Sequence, residues 1–241
     1  MDAEKVFIKK SKIAPHKEEY WIPLSDLMSG LMMIFMLIAV FYMVKVEKDA
    51  QKIKDVALVY NEMRSELYEE LKIEFKPDLV KWGAELYPDL TIRFKEPDVL
   101  FDTGKDGLKP RFMSILDDFF PRYIKILSSD KYKQSIEEVR IEGHTSSIWS
   151  EGMPENKAYF LNMELSQART RSVLQYVLLL PRISGQQDWL KRHLTANGLS
   201  SSKLVYNSNG SENIEGSQRV EFKVRTNADE RISEILKSVQ K

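Results

Sequence analysis

The hydrophobic pattern divides the sequence into three stretches of different character. Residues 27–44 run for eighteen positions without a charged side chain, which is long enough for a helix to cross a hydrocarbon core of about 30 Å. Residues 45–76 are highly charged and contain no glycine, a pattern typical of a continuous exposed helix. From Pro88 onward, alternating and helically spaced apolar positions follow one another, which predicts a domain of mixed strands and helices.

The apolar stretch is predicted to be a transmembrane helix. Extended back to Ile22, it holds a single charged residue, Asp26, and aromatic side chains stand near both of its ends, as they do in membrane spans. A cleaved signal peptide fits poorly, because the stretch is longer than a typical signal core and no A-x-A site follows it. Lysines flank both ends, so the expected orientation, N-terminus in the cytoplasm, rests on the large domain that follows a single span.

Asp26 allows two interpretations, because an acid within a membrane span is costly. It is either a cap at the membrane interface, with Pro23 in the first turn of the helix, or a proton or sodium site that faces other protein helices. Ser29 and Gly30 lie one turn further along on the same face, where small residues let another helix approach. Helical periodicity alone leaves both interpretations open.

The charged stretch has a heptad-like pattern. Four apolar residues recur every seven positions along it, namely Val46, Ile53, Tyr60 and Leu67. This spacing favours a helix that pairs with its copy in a homodimer. The alternative is a single amphipathic helix packed on the following domain. Pro77 is expected to end the helix.

The remaining residues predict an α+β fold in two layers. In the strand expected near residues 138–143, Val139 and Ile141 alternate with Arg140 and Glu142, so the apolar pair is expected inside and the charged pair outside. Further strands are expected near residues 91–101, 203–206 and 219–225, and helices over residues 108–127 (with a possible break at Pro121), 165–180 and 228–241.

Composition narrows the possible functions. The 36 Lys and Arg residues balance the 36 Asp and Glu residues, and a net charge of zero argues against nucleic-acid binding. The absence of cysteine excludes disulfides, thiolate metal sites and cysteine nucleophiles. The three histidines show no metal-ligand spacing, and neither a Ser-His-Asp order nor a phosphate-binding loop is present. We therefore predict no enzymatic activity, no resident cofactor and no metal.

Four sequence blocks are recognisable in order and spacing: VLFDTGKDGLKP, RIEGHTSS, NMELSQARTRSV and SQRVEFKV. They resemble the OmpA-like peptidoglycan-binding domain. The stretch WIPLSDLMSGLMMIFMLIAV resembles the ion-carrying helix of MotB-type stator subunits, and its S-D-L-M-S-G-L-M run is more similar to the ZorB subunits of the Zorya anti-phage system than to flagellar MotB. The resemblance covers about residues 20–45 and 88–227.

The resemblance implies a single-pass protein of the bacterial inner membrane. A cytoplasmic tail at 1–20 would precede a transmembrane helix at 21–45 and a charged helical connector at 46–77. An OmpA-like two-layer α/β domain at 78–227 would lie in the periplasm, followed by a C-terminal helix at 228–241.

The resemblance also implies functional residues. Asp26 corresponds to the ion-binding acid, for a translocated H⁺ or Na⁺. Arg169 corresponds to the arginine that grips the carboxylate of the peptidoglycan diamino acid, which a guanidinium matches in bidentate geometry. Leu165 and Ser166 are expected to open the same helix and to offer backbone N–H groups to an anion. The full implied peptidoglycan-binding set is Thr145, Ser146, Asn162, Leu165, Arg169 and Arg219.

One position departs from the family pattern. The family run is usually G-H-T-D, whose Asp meets the ammonium of the diamino acid, whereas this chain has Ser146 there. A serine accepts a hydrogen bond but gives no charge pairing. Three alternatives stay open: Glu151 or Glu155 in the following loop substitutes, wall affinity is weaker, or the ligand differs.

Taken together, these features predict a peptidoglycan-anchored stator subunit of an ion-driven rotary motor, most simply proton-driven, used in anti-phage defence. Its partners would be a second copy of the chain, peptidoglycan, and a ring of a MotA-like (ZorA-like) multi-span subunit. The alternatives are a flagellar MotB-type stator and a passive cell-wall tether. A TolR- or ExbD-like transducer also has one Asp-bearing span, but it lacks the four OmpA-like blocks.

Overall fold

The computed structural model describes residues 21–95 and 100–227, so the expected tail at 1–20 and the expected final helix at 228–241 lie outside the described residues. The described residues fall into two units, 21–51 and 52–227. In chain order the elements are α1 (Trp21–Leu79), β1 (Ala84–Leu86), β2 (Thr91–Phe94), α2 (Pro110–Leu127), β3 (Ile136–His144), α3 (Glu155–Leu178), a 3-10 helix (Pro181–Gln186), α4 (Gln187–His193), β4 (Leu194–Gly198), α5 (Ile214–Ser217) and β5 (Arg219–Thr226).

Helix α1 is 59 residues long and contains the expected membrane span. It is long and apolar enough to cross a membrane, and its large apolar side chains between Leu27 and Val44 are exposed, as a lipid-facing helix requires. Pro77 lies inside the helix, which ends two residues later, at Leu79. A proline in the last turn removes only one backbone hydrogen bond, which explains why the expected stop at Pro77 is slightly early.

The last part of α1 packs into the following domain. Leu67, Leu71 and Phe75 recur every four residues and are fully buried in its hydrophobic core. Leu67 is one of the four heptad residues, and its burial within its own chain leaves it no surface for a second copy. The alternative of a helix packed on the domain therefore describes this part of α1, while the homodimer stays a prediction.

A five-stranded sheet in the order β1-β2-β5-β3-β4 organises the domain. Strands β3 and β4 are parallel and the other neighbours are antiparallel. Because strand side chains alternate, Val220 and Phe222 of β5 face the core, whereas Arg219 and Glu221 share the opposite face. The predicted α+β fold class is confirmed.

Phe119 of α2 lies at the centre of the core. Its ring centroid is 5.1 Å from that of Phe222, 5.2 Å from that of Phe94 and 5.3 Å from that of Phe75. Ring pairs at these separations add to the stabilisation that burial gives. The end of α1, helix α2 and the sheet therefore share one core.

Two glycines let α3 touch the sheet with its backbone. A Cβ atom at Gly198 would lie 2.3 Å from the backbone nitrogen of Gln167, and one at Gly143 would lie 2.9 Å from the carbonyl oxygen of Ser166. No larger residue fits at these separations without displacing backbone. This contact fixes the polar residues of α3 beside the carboxyl end of β3.

Several expected elements differ from the structure. Residues 203–206 do not form a strand and contribute only a single bridge, from Tyr206 to Glu212. Strands β1 and β4 were not expected. The core-facing residues of β4 are small where it meets α3, so its hydrophobic alternation is weak. Helix α3 begins at Glu155, ten residues before the expected start, and Pro121 lies inside α2, where burial of the surrounding side chains outweighs its poor helix propensity.

Candidate functional site

Three polar residues lie on the buried face of α3. Asn162, Ser166 and Arg169 follow the i, i+4, i+7 spacing of one helix face, and all three are buried. Buried polar groups require hydrogen-bond partners. Their partners lie in loops at the ends of the strands, and these contacts form the candidate site.

The loop after β3 is fixed from two sides. The Asn162 amide donates to the carbonyl of Ser146 over 3.1 Å, and the Thr145 N–H donates to the carbonyl of Ser200 over 3.0 Å. Ser200, which has a left-handed φ of 51°, donates its own N–H to the Ser166 hydroxyl over 3.1 Å. The Thr145 hydroxyl is buried and has no hydrogen-bond partner within the described part of the chain.

Ser146 occupies the position where the resembling family has an acid. Its hydroxyl donates to the carbonyl of Ile148 over 3.2 Å and accepts from the Gln218 amide over 3.4 Å. Glu151 and Glu155, the substitutes considered from the sequence, are exposed. The loop receives a different carboxylate, described next.

Glu212 brings a negative charge to this loop. Its carboxylate accepts from the Ser147 N–H over 2.9 Å and from the Ser147 hydroxyl. The two residues are 65 positions apart in the chain, and no motif connects them. Sequence reasoning missed Glu212 for this reason.

Arg169 is a buried cation held by neutral groups. Its Nε donates to the carbonyl of Lys105 over 2.8 Å and its Nη2 to the carbonyl of Asp102 over 3.1 Å. The guanidinium carbon lies 4.8 Å from the ring centroid of Phe101, a cation–π distance. Among the described residues no carboxylate forms a hydrogen bond or ion pair with Arg169. Burial lowers the pKa of Arg169 to about 10, which the charge of Asp106 partly opposes, so the guanidinium stays charged at neutral pH.

A narrow cleft joins Arg169 to the end of β5. The residues that line it include Phe101, His144, Ser166, Arg169, Gln218 and Arg219. Leu165 is half-buried and does not line this cleft. Since α3 begins at Glu155, Leu165 and Ser166 lie within the helix, where backbone N–H groups bond to carbonyls four residues earlier. The expectation that these two N–H groups serve an anion is therefore wrong.

Arg219 differs from Arg169 because it is paired with a carboxylate. Its Nε donates to Glu221 Oε1 over 2.6 Å and its Nη1 to the carbonyl of Ser217 over 3.0 Å. Arg93 Nε donates to the same Glu221 oxygen over 2.7 Å. Burial alone would raise the pKa of Glu221, but its contacts with His144 and Arg219 outweigh burial and hold that pKa well below its usual range.

Three potential metal ligands meet on the same face of the sheet. Glu142, expected on the outside, does face away from the core, but it is only 6% exposed. It lies with His144 and Glu221, and one ligand atom from each falls within 4.8 Å of the others. Residue spacing gave no sign of this cluster, because the strand register brings Glu221 to the other two.

Asp26 lies in α1 within the apolar stretch. Its neighbours Ser29 and Gly30 follow at i+3 and i+4, and a Cβ atom added to Gly30 would meet no atom within 4 Å. Asp26 is exposed within the chain. The carboxyl and the adjoining small residues therefore form a helix face open to another protein.

Comparison with curated proteins decides the family. The chain is 47% identical over 234 residues to Zorya protein ZorB from Escherichia coli strain Crooks, a match that covers 97% of this chain and 99% of the relative. This chain belongs to the ZorB family. A second ZorB, from Escherichia coli O139:H28, is 25% identical over 224 residues, which covers 90% of this chain and 85% of the relative. The resemblance stated from the sequence is thus confirmed, and neither ZorB relative is named for an enzymatic activity.

Two solved structures are similar to this ZorB-family chain at low sequence identity. A MotB-like protein from Desulfovibrio vulgaris superimposes with a TM-score of 0.46 and 24% identity, covering 72% of this chain and 94% of that protein. The periplasmic domain of Helicobacter pylori MotB gives a TM-score of 0.41 and 19% identity, covering 61% and 84%. No family profile matches the sequence.

Proposed function

We propose that this chain is the wall-anchored stator subunit of an ion-driven inner-membrane motor that serves anti-phage defence. Membership of the ZorB family supports the defence role. The observation that carries the anchoring role is Arg169, a buried guanidinium without a carboxylate partner among the described residues.

The energetics of Arg169 favour an anionic ligand. A buried charge is stable only when it is paired or fully hydrogen-bonded, and here two backbone carbonyls and the face of Phe101 supply only part of that compensation. The cleft has a volume of only about 10 Å³, so a ligand carboxylate would have to widen it; it would then supply the rest through charge-assisted hydrogen bonds. The stem-peptide diamino acid of peptidoglycan carries such a carboxylate, and Thr145, Asn162 and Arg219 adjoin the same region.

Co-sedimentation of the detergent-solubilised full-length protein with purified peptidoglycan tests the anchor. We expect Arg169→Ala to weaken binding by about 10- to 100-fold, the equivalent of losing one charged hydrogen-bonding partner. Arg169→Lys keeps the charge but loses the bidentate fork, so its loss is expected to be smaller.

Arg171→Ala is the matched control, because Arg171 lies two residues further on the same helix and is exposed. It is expected to bind peptidoglycan like the wild type. Wild-type sedimentation of Arg169→Ala, with Arg171→Ala unchanged, would remove Arg169 from the wall-binding site.

Glu212 is our candidate for the carboxylate that Ser146 does not provide. Its two bonds to Ser147 hold it against the loop of the site, whereas Glu151 and Glu155 are exposed. We expect Glu212→Gln, which keeps the size of the side chain, to weaken peptidoglycan binding, and Glu151→Gln and Glu155→Gln to leave it unchanged. Adding Ser146→Asp to Glu212→Gln is expected to restore binding. If Glu212→Gln binds peptidoglycan like the wild type, and adding Ser146→Asp changes nothing, Glu212 has no role in binding.

The motor role rests on Asp26. The carboxyl would gain and lose a proton, or bind and release a sodium ion, against a ring of a MotA-like (ZorA-like) multi-span subunit that surrounds a dimer of this chain. With the N-terminus in the cytoplasm and the wall-binding domain in the periplasm, anchoring gives the ring a fixed frame against which to turn. No residue with a catalytic role enters this proposal.

Phage plating on cells that carry the complete defence locus tests the motor. We expect Asp26→Asn to abolish protection, because an amide cannot exchange an ion, and Glu47→Gln to preserve it, because Glu47 is an exposed acid beyond the apolar stretch of the same helix. Full protection with Asp26→Asn would instead favour a passive wall tether. Restored swimming in a strain that lacks its flagellar stator would favour the flagellar alternative.

A further inference from the structure

Two carboxylates face each other across neighbouring strands. The register of β3 and β5 pairs Glu142 directly with Glu221, and the two side chains are 6% and 5% exposed. Like charges directly opposite one another destabilise a sheet. Something in this region must therefore hold the two carboxylates together.

Arginines account for one oxygen of each carboxylate. Arg140 Nη1 donates to Glu142 Oε1 over 3.3 Å, and Arg219 and Arg93 both donate to Glu221 Oε1. These contacts fix the orientation of both carboxylates. They involve Oε1 of each, while the Oε2 atoms lie beside His144.

His144 lies between the two Oε2 atoms. Its Nε2 is 3.7 Å from Glu142 Oε2 and 3.5 Å from Glu221 Oε2, and its side chain is 1% exposed. Within the described residues, neither ring nitrogen has a hydrogen-bond partner. A buried imidazole that lies within ion-pair distance of two carboxylates, without a hydrogen bond to either, needs an explanation.

The separations match those of ligands around a shared ion. Hydrogen-bonded N and O atoms lie about 2.7–3.2 Å apart, so both distances are too long. Two ligands that each lie about 2.0–2.1 Å from a tetrahedral zinc ion are separated by about 3.3–3.4 Å, close to the values observed. The three ligand atoms lie within 4.8 Å of one another, so an inward movement of the side chains would be needed to bring all three to bonding distance.

We propose that Glu142 Oε2, His144 Nε2 and Glu221 Oε2 bind a divalent cation of the zinc type. One imidazole and two carboxylates are a ligand set that zinc uses, with a fourth position left for water or another ligand. An open cavity of about 630 Å³ adjoins the three residues, so that position has room. The arginines that fix the carboxylates act as the hydrogen-bonding groups that commonly orient metal ligands from outside.

The charges around the cluster determine how tightly we expect it to bind a divalent cation. Arg140 and Arg225 both donate to Glu138, and Arg225 lies 3.7 Å from Glu137. Four arginines (Arg93, Arg140, Arg219 and Arg225) and four glutamates (Glu137, Glu138, Glu142 and Glu221) therefore balance, and the charge of Lys223 also acts on Glu142. A divalent ion adds positive charge to a balanced network. We therefore expect a dissociation constant on the order of micromolar, weaker than that of a structural zinc site.

Zinc binding to the untagged full-length protein in detergent tests the site. After EDTA treatment, the protein is dialysed against micromolar ZnCl₂, and bound zinc is measured by elemental mass spectrometry. We expect about one equivalent per chain and a rise in the melting temperature of a few degrees, as ligand linkage requires at saturation. With Co²⁺ in place of Zn²⁺, the wild type is expected to show the visible absorption bands of a tetrahedral site.

Variants make the assignment specific. His144→Gln is expected to lose the bound zinc and the melting shift, whereas His193→Gln is expected to retain both, because His193 stacks on Trp189 in α4, outside the cluster. Glu142→Gln serves in the same way if His144→Gln fails to fold. Zinc below a tenth of an equivalent in the wild type, or equal binding by wild type and both ligand variants, would overturn the proposal. Because no peptidoglycan is present, this result is independent of the anchoring role.

Discussion

Arg169 on α3 and Arg219 on β5 line the same cleft, yet their surroundings differ. Both are nearly buried, at 9% and 6% exposure. Arg219 and Arg93 share the carboxylate of Glu221, whereas Arg169 bonds to two backbone carbonyls. A buried arginine with a carboxylate is satisfied by its own chain, while one without a carboxylate retains the capacity to bind an anion from outside.

The largest expected effect on stability comes from removing the carboxylate of Glu221, which pairs with Arg219 and Arg93. Glu221→Gln would leave the buried Arg219 and the partly buried Arg93 without their anion, and breaking a buried ion pair in this way costs about 3–5 kcal/mol. Chemical denaturation of the full-length protein in detergent with EDTA, followed by tryptophan fluorescence, measures the loss.

The control for this measurement is Glu137→Gln. Glu137 lies 3.7 Å from Arg225 at a partly exposed position, where ion pairs contribute little, so the denaturation midpoint is expected to stay unchanged. Equal midpoints for the two variants would mean that Glu221 does not balance the charges of Arg219 and Arg93.

A smaller change in stability is expected at the unpaired arginine. Arg169→Met replaces a buried cation that lacks a carboxylate by an apolar side chain of similar length, so we expect the free energy of unfolding to change by no more than about 1 kcal/mol. Peptidoglycan binding, in contrast, is expected to be lost. A fall in stability as large as that of Glu221→Gln would show that Arg169 stabilises the fold. Arg169 and Arg219 would then not differ in role.

The smallest effect is expected at the aromatic face beneath Arg169. Phe101→Leu keeps an apolar side chain but removes the cation–π contact, which contributes about 0.5–1 kcal/mol, or roughly a twofold to fivefold loss of peptidoglycan affinity. Titration of soluble stem peptide by calorimetry resolves a change of this size. An affinity equal to that of the wild type would show that the ring does not help to place the guanidinium.

Local patterns in the sequence predicted only part of the site. Strand alternation over residues 219–225 puts Arg219 and Glu221 on one side of β5. Asn162 and Arg169 came from the family resemblance, and their shared helix face was not predicted, because Asn162 lies before the helix expected at residues 165–180. Contacts between distant segments were not predictable, because they depend on strand register and loop paths. The bonds from Ser147 to Glu212 and from Arg169 to Lys105, and the pairing of Glu142 with Glu221, are of this kind.

The same distinction between local patterns and contacts of distant segments applies to the prediction of the fold. Long periodic segments such as α2 were predicted from apolar spacing, whereas β4 was missed because the contact of α3 with Gly198 requires small residues that erase the strand pattern. The early start of α3 was missed because its buried face carries Ala158 and Asn162 rather than large apolar residues.

The backbone contact of α3 with Gly143 and Gly198 has a mechanical consequence. Tension applied to a ligand held by Arg169 would pass from the helix main chain straight into two adjacent parallel strands, without crossing flexible side chains that stretch or change rotamer. Helix and strands would then resist the force as one rigid unit. A single methyl group added at Gly198 would separate α3 from β4 and weaken that unit.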